Sequence, residues 1–171
     1  EANLSSEEQK DYIAIIEKSG TRLLNIINDI VDISKIEAGQ MNISYSETNI
    51  DEQLKYIQSF FKMESQDKGV HLILKSASFG SETIINTDQE KLYAILMNLV
   101  KNAIKYTVMG TVEFGYEKKK DHIEFFVKDT GIGIAEDRHK AIFERFIQAD
   151  FNDKMARQGA GLGLSIARAY V

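Results

Sequence analysis

Asn98 and Asn102 lie one helical turn apart in the stretch LMNLVKNAIKYT. Leu96, Leu99, Val100, Ala103 and Ile104 recur around them at three- and four-residue spacing, which predicts one packed face of a helix. Asparagine is a mediocre helix former, because its amide competes with the backbone for hydrogen bonds. Two of them on one edge, followed at once by Lys105 and Tyr106, pose a question of purpose. Read alone, the segment fits a solvated helix edge or two satisfied amides beside the core.

Two glycine-rich stretches offer chemistry of their own. KDTGIGIAED places Asp129 at the end of an apolar strand, with glycines at alternating positions after it. Glycine lets a backbone approach a flat ligand closely, and a carboxylate fixed there can accept hydrogen bonds from an exocyclic amine. A plain turn has the same composition. GAGLGLSIA sets Gly159, Gly161 and Gly163 before a helix whose first turn has free N–H groups, a ready anion site. It has neither the G-x-G-x-x-G spacing nor the preceding strand of a dinucleotide fingerprint. The chain also lacks G-x-x-x-x-G-K-[ST], which excludes a P-loop.

These stretches must be positioned by the elements around them. A long helix is predicted over Ser5 to Ala38, capped by Ser5 or Ser6, with Glu7 and Glu8 in its first turn and Gly39 as its stop. Its apolar stripe of Ile13, Ile16, Leu23, Ile27, Ile30 and Val31, widened by Ile15, Leu24, Ile26 and Ile33, needs partner helices that this chain hardly supplies. From Met41 the pattern changes. MNISYSETNI reads as a strand, and a helix follows from Asp51 to Gly69. VHLILKS and TIINT read as short strands, and Asp88 caps the helix with the asparagines. GTVEFGYEKK and HIEFFVKD form a hairpin, AEDRHKAIFERF a short helix, and GAGLGLSIARAYV a loop feeding a helix. The fold class is therefore α+β, a two-layer sandwich of helices on a mixed, mostly antiparallel sheet, preceded by one long bundle helix.

Composition narrows the function. The chain has 171 residues, 43% hydrophobic and 27% charged, a globular composition with no apolar run approaching a membrane span. Net charge is −5, a poor match for general nucleic-acid binding, so an anionic ligand needs a local basic or helix-terminal site. There is no cysteine and no proline, and the opening EANLSSEEQK is not a signal peptide.

Taken in order, the N-x-x-x-N helix, the Asp-x-Gly-x-Gly loop, the pair Phe143 and Phe146 and the G-x-G-L-G-L loop strongly resemble the sensor histidine kinases of two-component signalling. NLVKNAIKYT is similar to their N box, DTGIGI to the G1 box, FERF to the F box and GAGLGLSIA to the G2 box. LLNIINDIVDISKIEAG resembles the second helix of their dimerisation and phosphotransfer domain, and the style is that of hybrid kinases. The resemblance implies the ATP-binding fold shared with gyrase B, Hsp90 and MutL. Residues 1–40 then belong to the dimerisation domain and 41–171 to the catalytic domain.

Carried over by position, the resemblance gives Asn102 to Mg²⁺ and sets Asn98 one turn earlier at the phosphate end. Lys105 reaches a phosphate oxygen and Tyr106 packs near the nucleotide. Asp129 accepts from the adenine amino group, with Gly131, Gly133 and Ile134 close to the base. Phe143 and Phe146 anchor a lid that runs to Gly159, and Gly161, Leu162 and Gly163 turn N–H groups to the phosphates. ATP and Mg²⁺ are the implied ligands. The implied partners are a histidine-bearing dimerisation domain, a response regulator receiver domain and a second copy in the full protein. The implied location is the cytoplasm, whether or not the parent is anchored in a membrane.

Four departures accompany the resemblance. His71, His122 and His139 lie in no acceptor context, so the phosphorylated histidine is expected outside this chain. Relatives continue past the last helix into further strands, so a fragment cut at both ends is expected. Many carry a basic residue where Gln148 stands; Arg145, Lys154 and Arg157 are each read either as supplying that charge or as part of a solvated face. The ATPase relatives have a glutamate base where Asn98 stands, which disfavours a gyrase-like ATPase. A non-catalytic nucleotide-sensing module is the remaining alternative.

Overall fold

A capping box at Ser5 starts the first helix in the computed structural model, which describes residues 5–75, 83–147 and 161–171. The Ser5 hydroxyl accepts from the Glu8 N–H at 3.3 Å, and the Glu8 carboxylate accepts from the Ser5 N–H at 2.8 Å. That donation from the Ser5 backbone holds the Glu8 carboxyl below its usual range. Helix α1 runs Ser6–Glu37 and ends where Gly39 takes φ +63°. The chain divides into two units, Glu1–Met41 and Asn42–Val171. In the first, Ile13, Ile16, Leu23, Ile27 and Ile30 are exposed, Ile16 to 68%. No described helix is long and apolar enough to cross a membrane.

The second unit contains β1 (Ser46–Asn49), α2 (Ile50–Asp67), β2 (Val70–Lys75), β3 (Ile84–Thr87), α3 (Gln89–Tyr106), β4 (Gly110–Lys118), β5 (Ile123–Asp129) and α4 (Gly163–Tyr170). Strands β1 and β3 pair antiparallel, Ser46 opposite Thr87. A second sheet has the order β2-β4-β5, with β2 parallel and β5 antiparallel to β4. Ile50, Leu54, Ile57 and Phe61 of α2, Leu96, Val100, Ala103 and Ile104 of α3, and Val112, Phe114 and Tyr116 of β4 form the core. Each large aliphatic side chain buried there is worth about 1.5–3 kcal/mol.

Two predicted elements differ from those observed. The strand expected from Met41 is confined to Ser46–Asn49, because its partner β3 ends at Thr87. Asp88 then caps α3, and the Ser44 N–H turns to the Asp88 carboxylate at 2.9 Å instead of extending the ladder. The helix expected over AEDRHKAIFERF is two single 3₁₀ turns, Glu136–Arg138 and Ala141–Phe143. Residues 136–140 are all exposed, so a short helix there has no buried face to stabilise it.

Candidate functional site

Helix α3 fixes the frame. Asp88 caps it through the Lys91 N–H at 3.0 Å and also accepts from the Lys91 ammonium at 2.7 Å. Those donations, the ammonium's first, hold the Asp88 carboxyl well below the usual carboxylate range. At the other end, the Lys68 ammonium donates to the carbonyls of Ile104 and Lys105, each at 3.1 Å. A cation on a helix C-terminus is favourable, and it fixes the turn that carries Lys105 and Tyr106.

Helix α4 lies on the asparagine edge of α3 and runs in the opposite direction. Its first residue, Gly163, abuts the Asn98 amide, and the ring of Tyr170 in its last turn lies 5.9 Å from the Lys91 ammonium. The N-terminus of α4 therefore stops at Asn98. Asn102 and Lys105, the next positions along that edge of α3, lie beyond it. Helix N-terminus, amide and ammonium-bearing residue are brought to one end of the packed pair, an arrangement that favours an anion. The Lys105 ammonium lies 4.8 Å from the centroid of the Tyr106 ring.

The loop after β5 is fastened to the same end of α3. The Tyr106 carbonyl accepts from the Ile132 N–H at 3.2 Å, and the Thr111 carbonyl accepts from the Thr130 N–H at 3.1 Å. Asp129 is exposed, and its Oδ1 accepts from the Gly131 N–H at 2.9 Å. A β-carbon on Gly131 would stand 2.5 Å from the Tyr106 carbonyl oxygen, so only glycine fits. Gly133 takes φ +69° and is followed by an exposed Ile134, whose carbonyl lies 3.0 Å from His139 Nε2.

Phe143 ends the second 3₁₀ turn, and Phe146 is 66% exposed. The Phe146 N–H donates to the Gly161 carbonyl at 3.1 Å, joining the F-x-x-F segment to the loop before α4. Leu162 is buried beside Ile166 and Ala167 of α4. Gly159, Gln148, Lys154, Arg157 and most of the expected lid lie outside the described residues. His71 is exposed on β2, His122 pairs with Asp121 at 2.7 Å on the hairpin turn, and His139 braces the loop at Ile134.

Sequence reasoning missed Lys68 and Lys91, which brace the two ends of α3. Only Lys68 carried a signal, as the last residue before the glycine that ends α2. The donor set suits magnesium. Among the described residues no three His, Asp or Glu side chains converge on a metal position. An amide oxygen such as that of Asn102 is a hard ligand of the kind Mg²⁺ takes, and phosphate and water oxygens would have to complete its octahedron.

Comparison with known proteins follows the same lines. Residues 87–171 match the family described as histidine kinase-, DNA gyrase B-, and HSP90-like ATPase, and residues 1–39 match the His Kinase A (phospho-acceptor) domain. The chain is 34% identical over 175 residues to the autoinducer 2 sensor kinase/phosphatase LuxQ of Vibrio parahaemolyticus, covering 99% of the chain and 20% of that protein. It is 37% identical over 168 residues to the signal transduction histidine-protein kinase BarA of Escherichia coli, covering 95% of the chain and 18% of that protein. Full-length ShkA, solved in complex with AMPPNP, superposes with a TM-score of 0.80 at 28% identity, over 99% of this chain and 34% of that one. Histidine kinase ThkA, solved in complex with the response regulator protein TrrA, shares the fold at a TM-score of 0.70 and 22% identity, over 99% of this chain and 46% of that one. The chain thus spans about a fifth of the length of the curated relatives it matches.

Proposed function

The chain belongs to the sensor histidine kinases, and we propose that its α+β unit binds Mg·ATP and passes the γ-phosphoryl group to a histidine carried elsewhere in the full protein. The observation that carries this reading is the meeting of the α4 N-terminus with Asn98, at the end of α3 that bears Asn102 and Lys105. The loop of Asp129 is fastened to that same end.

Each residue then has a task. Asp129 accepts from the exocyclic amine of adenine, while Gly131 and Gly133 keep the backbone near the base and Ile134 offers it an apolar surface. Lys105 and the N–H groups from Gly161 to Gly163 take up phosphate charge. Asn98 sets the spacing between α3 and α4, and Tyr106 backs Lys105. Asn102 would hold Mg²⁺ through its amide oxygen, and the ion would supply further neutralisation of the phosphates. A histidine nitrogen attacks the γ-phosphorus, the bond to the bridging oxygen breaks and ADP leaves. Catalysis of such a transfer rests on positioning and charge neutralisation.

The domain reading follows: residues 1–40 are one helix of a dimerisation and phosphotransfer domain, and 41–171 are the catalytic domain. The exposed stripe of α1 supports pairing of the full protein through a helical bundle. A receiver domain of a response regulator is the next acceptor in such a relay, and the cytoplasm is where ATP is available to it.

The test is phosphotransfer from radiolabelled ATP and Mg²⁺ to a separately supplied dimerisation domain bearing the family's histidine. Acid-labile, base-stable label on that acceptor, with none on this chain alone, is the expected result. Transfer should be slow, because no tether raises the acceptor's effective concentration. Steady ATP hydrolysis without acceptor, or label on His71, His122 or His139, would overturn the reading.

A further inference from the structure

We propose that Arg168 is a positioning residue for the phosphate end of this site, acting through Phe143; the proposal rests on the nucleotide reading above. The Arg168 guanidinium carbon lies 5.8 Å from the centroid of the Phe143 ring, within reach of a cation–π contact. Three residues on, the Phe146 N–H donates to the Gly161 carbonyl at 3.1 Å. The segment from Phe143 to Phe146 is therefore held at both ends against the stretch Gly161–Arg168.

Phe146 needs that restraint. Its φ of 61° is in the left-handed region, which a non-glycine residue keeps only when its surroundings enforce it. The exposed ring of Phe146 does not supply the enforcement, and the two anchors flank it, the Phe146 N–H on Gly161 and the Phe143 ring under Arg168. Gly161 allows the close approach: a β-carbon there would lie 3.1 Å from the Phe146 carbonyl carbon and 3.0 Å from the Ile147 carbonyl oxygen.

The consequence reaches the phosphates through one peptide plane. A trans peptide is planar, so turning the Gly161 carbonyl toward Phe146 turns the Leu162 N–H the opposite way. No described residue accepts a hydrogen bond from that N–H, and it stands beside the free donors of the first turn of α4. Arg168 thus aims a phosphate donor without touching the nucleotide.

Calorimetry with AMP-PNP and Mg²⁺, and separately with adenosine, tests this in the whole chain. Arg168→Met keeps the side chain's bulk and loses the cation; it should weaken AMP-PNP binding about two- to fivefold, the worth of one exposed cation–π contact. Adenosine affinity should not change, since the base end is held by other bonds. Arg168→Lys should restore AMP-PNP affinity. Phe143→Leu should reproduce the loss, with no further loss in the double variant. Unchanged AMP-PNP affinity in Arg168→Met, or equal losses for AMP-PNP and adenosine, would overturn the assignment. Failure of the unmodified chain to bind either ligand would instead remove the nucleotide reading, and this proposal with it.

Discussion

The side-chain amide of Asn98 fills the space into which a β-carbon on Gly163 would project, with Oδ1 2.7 Å and Cγ 3.1 Å from that position. Two motifs separated by half of the second unit therefore specify each other. The asparagine is admitted because position 163 has no side chain, and α4 can start against α3 only on those conditions.

Gly163→Ala should accordingly push the Asn98 amide aside and part the two helices. Overpacking of this kind costs about 1–3 kcal/mol. Because the obstacle is a side chain, Asn98→Ala in the same molecule should recover most of the loss, a coupling visible in urea unfolding of the four members of the cycle. Additive losses would mean that the contact does not govern this packing.

Gly131→Ala should behave differently. There the nearest atoms are the Tyr106 carbonyl oxygen at 2.5 Å and carbon at 2.9 Å, which are backbone, with Asp129 Oδ1 at 2.8 Å. No side-chain deletion relieves such a clash, so the loop must leave α3 and take Asp129 with it. Loss of adenosine binding, with the calorimetric heat of unfolding largely kept, is the expected outcome. Wild-type affinity in this variant would contradict the role of the loop.

Much of this was legible in the sequence, because its signals are local. The stripe of α3, the cap at Asp88, the strand end at Asp129 and the glycine spacing all lie within a few residues of what they control. What was not legible depends on distant pairing. The Tyr116 hydroxyl approaches the buried Asp51 carboxylate oxygens at 3.1 and 3.2 Å, and the Thr83 N–H donates to that carboxylate at 2.8 Å. No periodicity announces that bond across the core. The ends of β1 escaped for a similar reason, since a strand's length is set by its partner.

Asp129→Asn should change which base binds. Oδ1 of Asp129 already accepts from Gly131, and an amide at this position would keep that bond with its oxygen. Its NH₂ would then point toward the ligand, where the adenine amino group also needs an acceptor. Losing a hydrogen bond to a charged acceptor costs about 1.5–3 kcal/mol, roughly a tenfold to hundredfold weakening of ATP. GTP, which presents a carbonyl oxygen there, should lose far less. Competition titrations with the two nucleotides measure the ratio, and an unshifted ratio would remove Asp129 from base recognition.

The Asp88–Lys91 pair should be visible as acid sensitivity. The folded-state carboxyl titrates below its ordinary value, because the Lys91 ammonium and the N–H groups of Ser44 and Lys91 all donate to it. A lowered folded-state value stabilises the native chain at every pH above the unfolded value, near 4, and is lost as pH falls through the range beneath it. Asp88→Asn keeps a competent N-cap, since asparagine caps about as well as aspartate, and removes the charge together with the oxygen that accepts from Ser44 and the Lys91 ammonium. The stability gap between the unmodified chain and Asp88→Asn should therefore be constant from about pH 7 to 5 and shrink below about pH 4. All other carboxyls titrate alike in both proteins and cancel. Urea midpoints across that range supply the measurement. A gap unchanged down to about pH 2 would mean that Asp88 acts as a neutral cap and that Lys91 contributes nothing through charge.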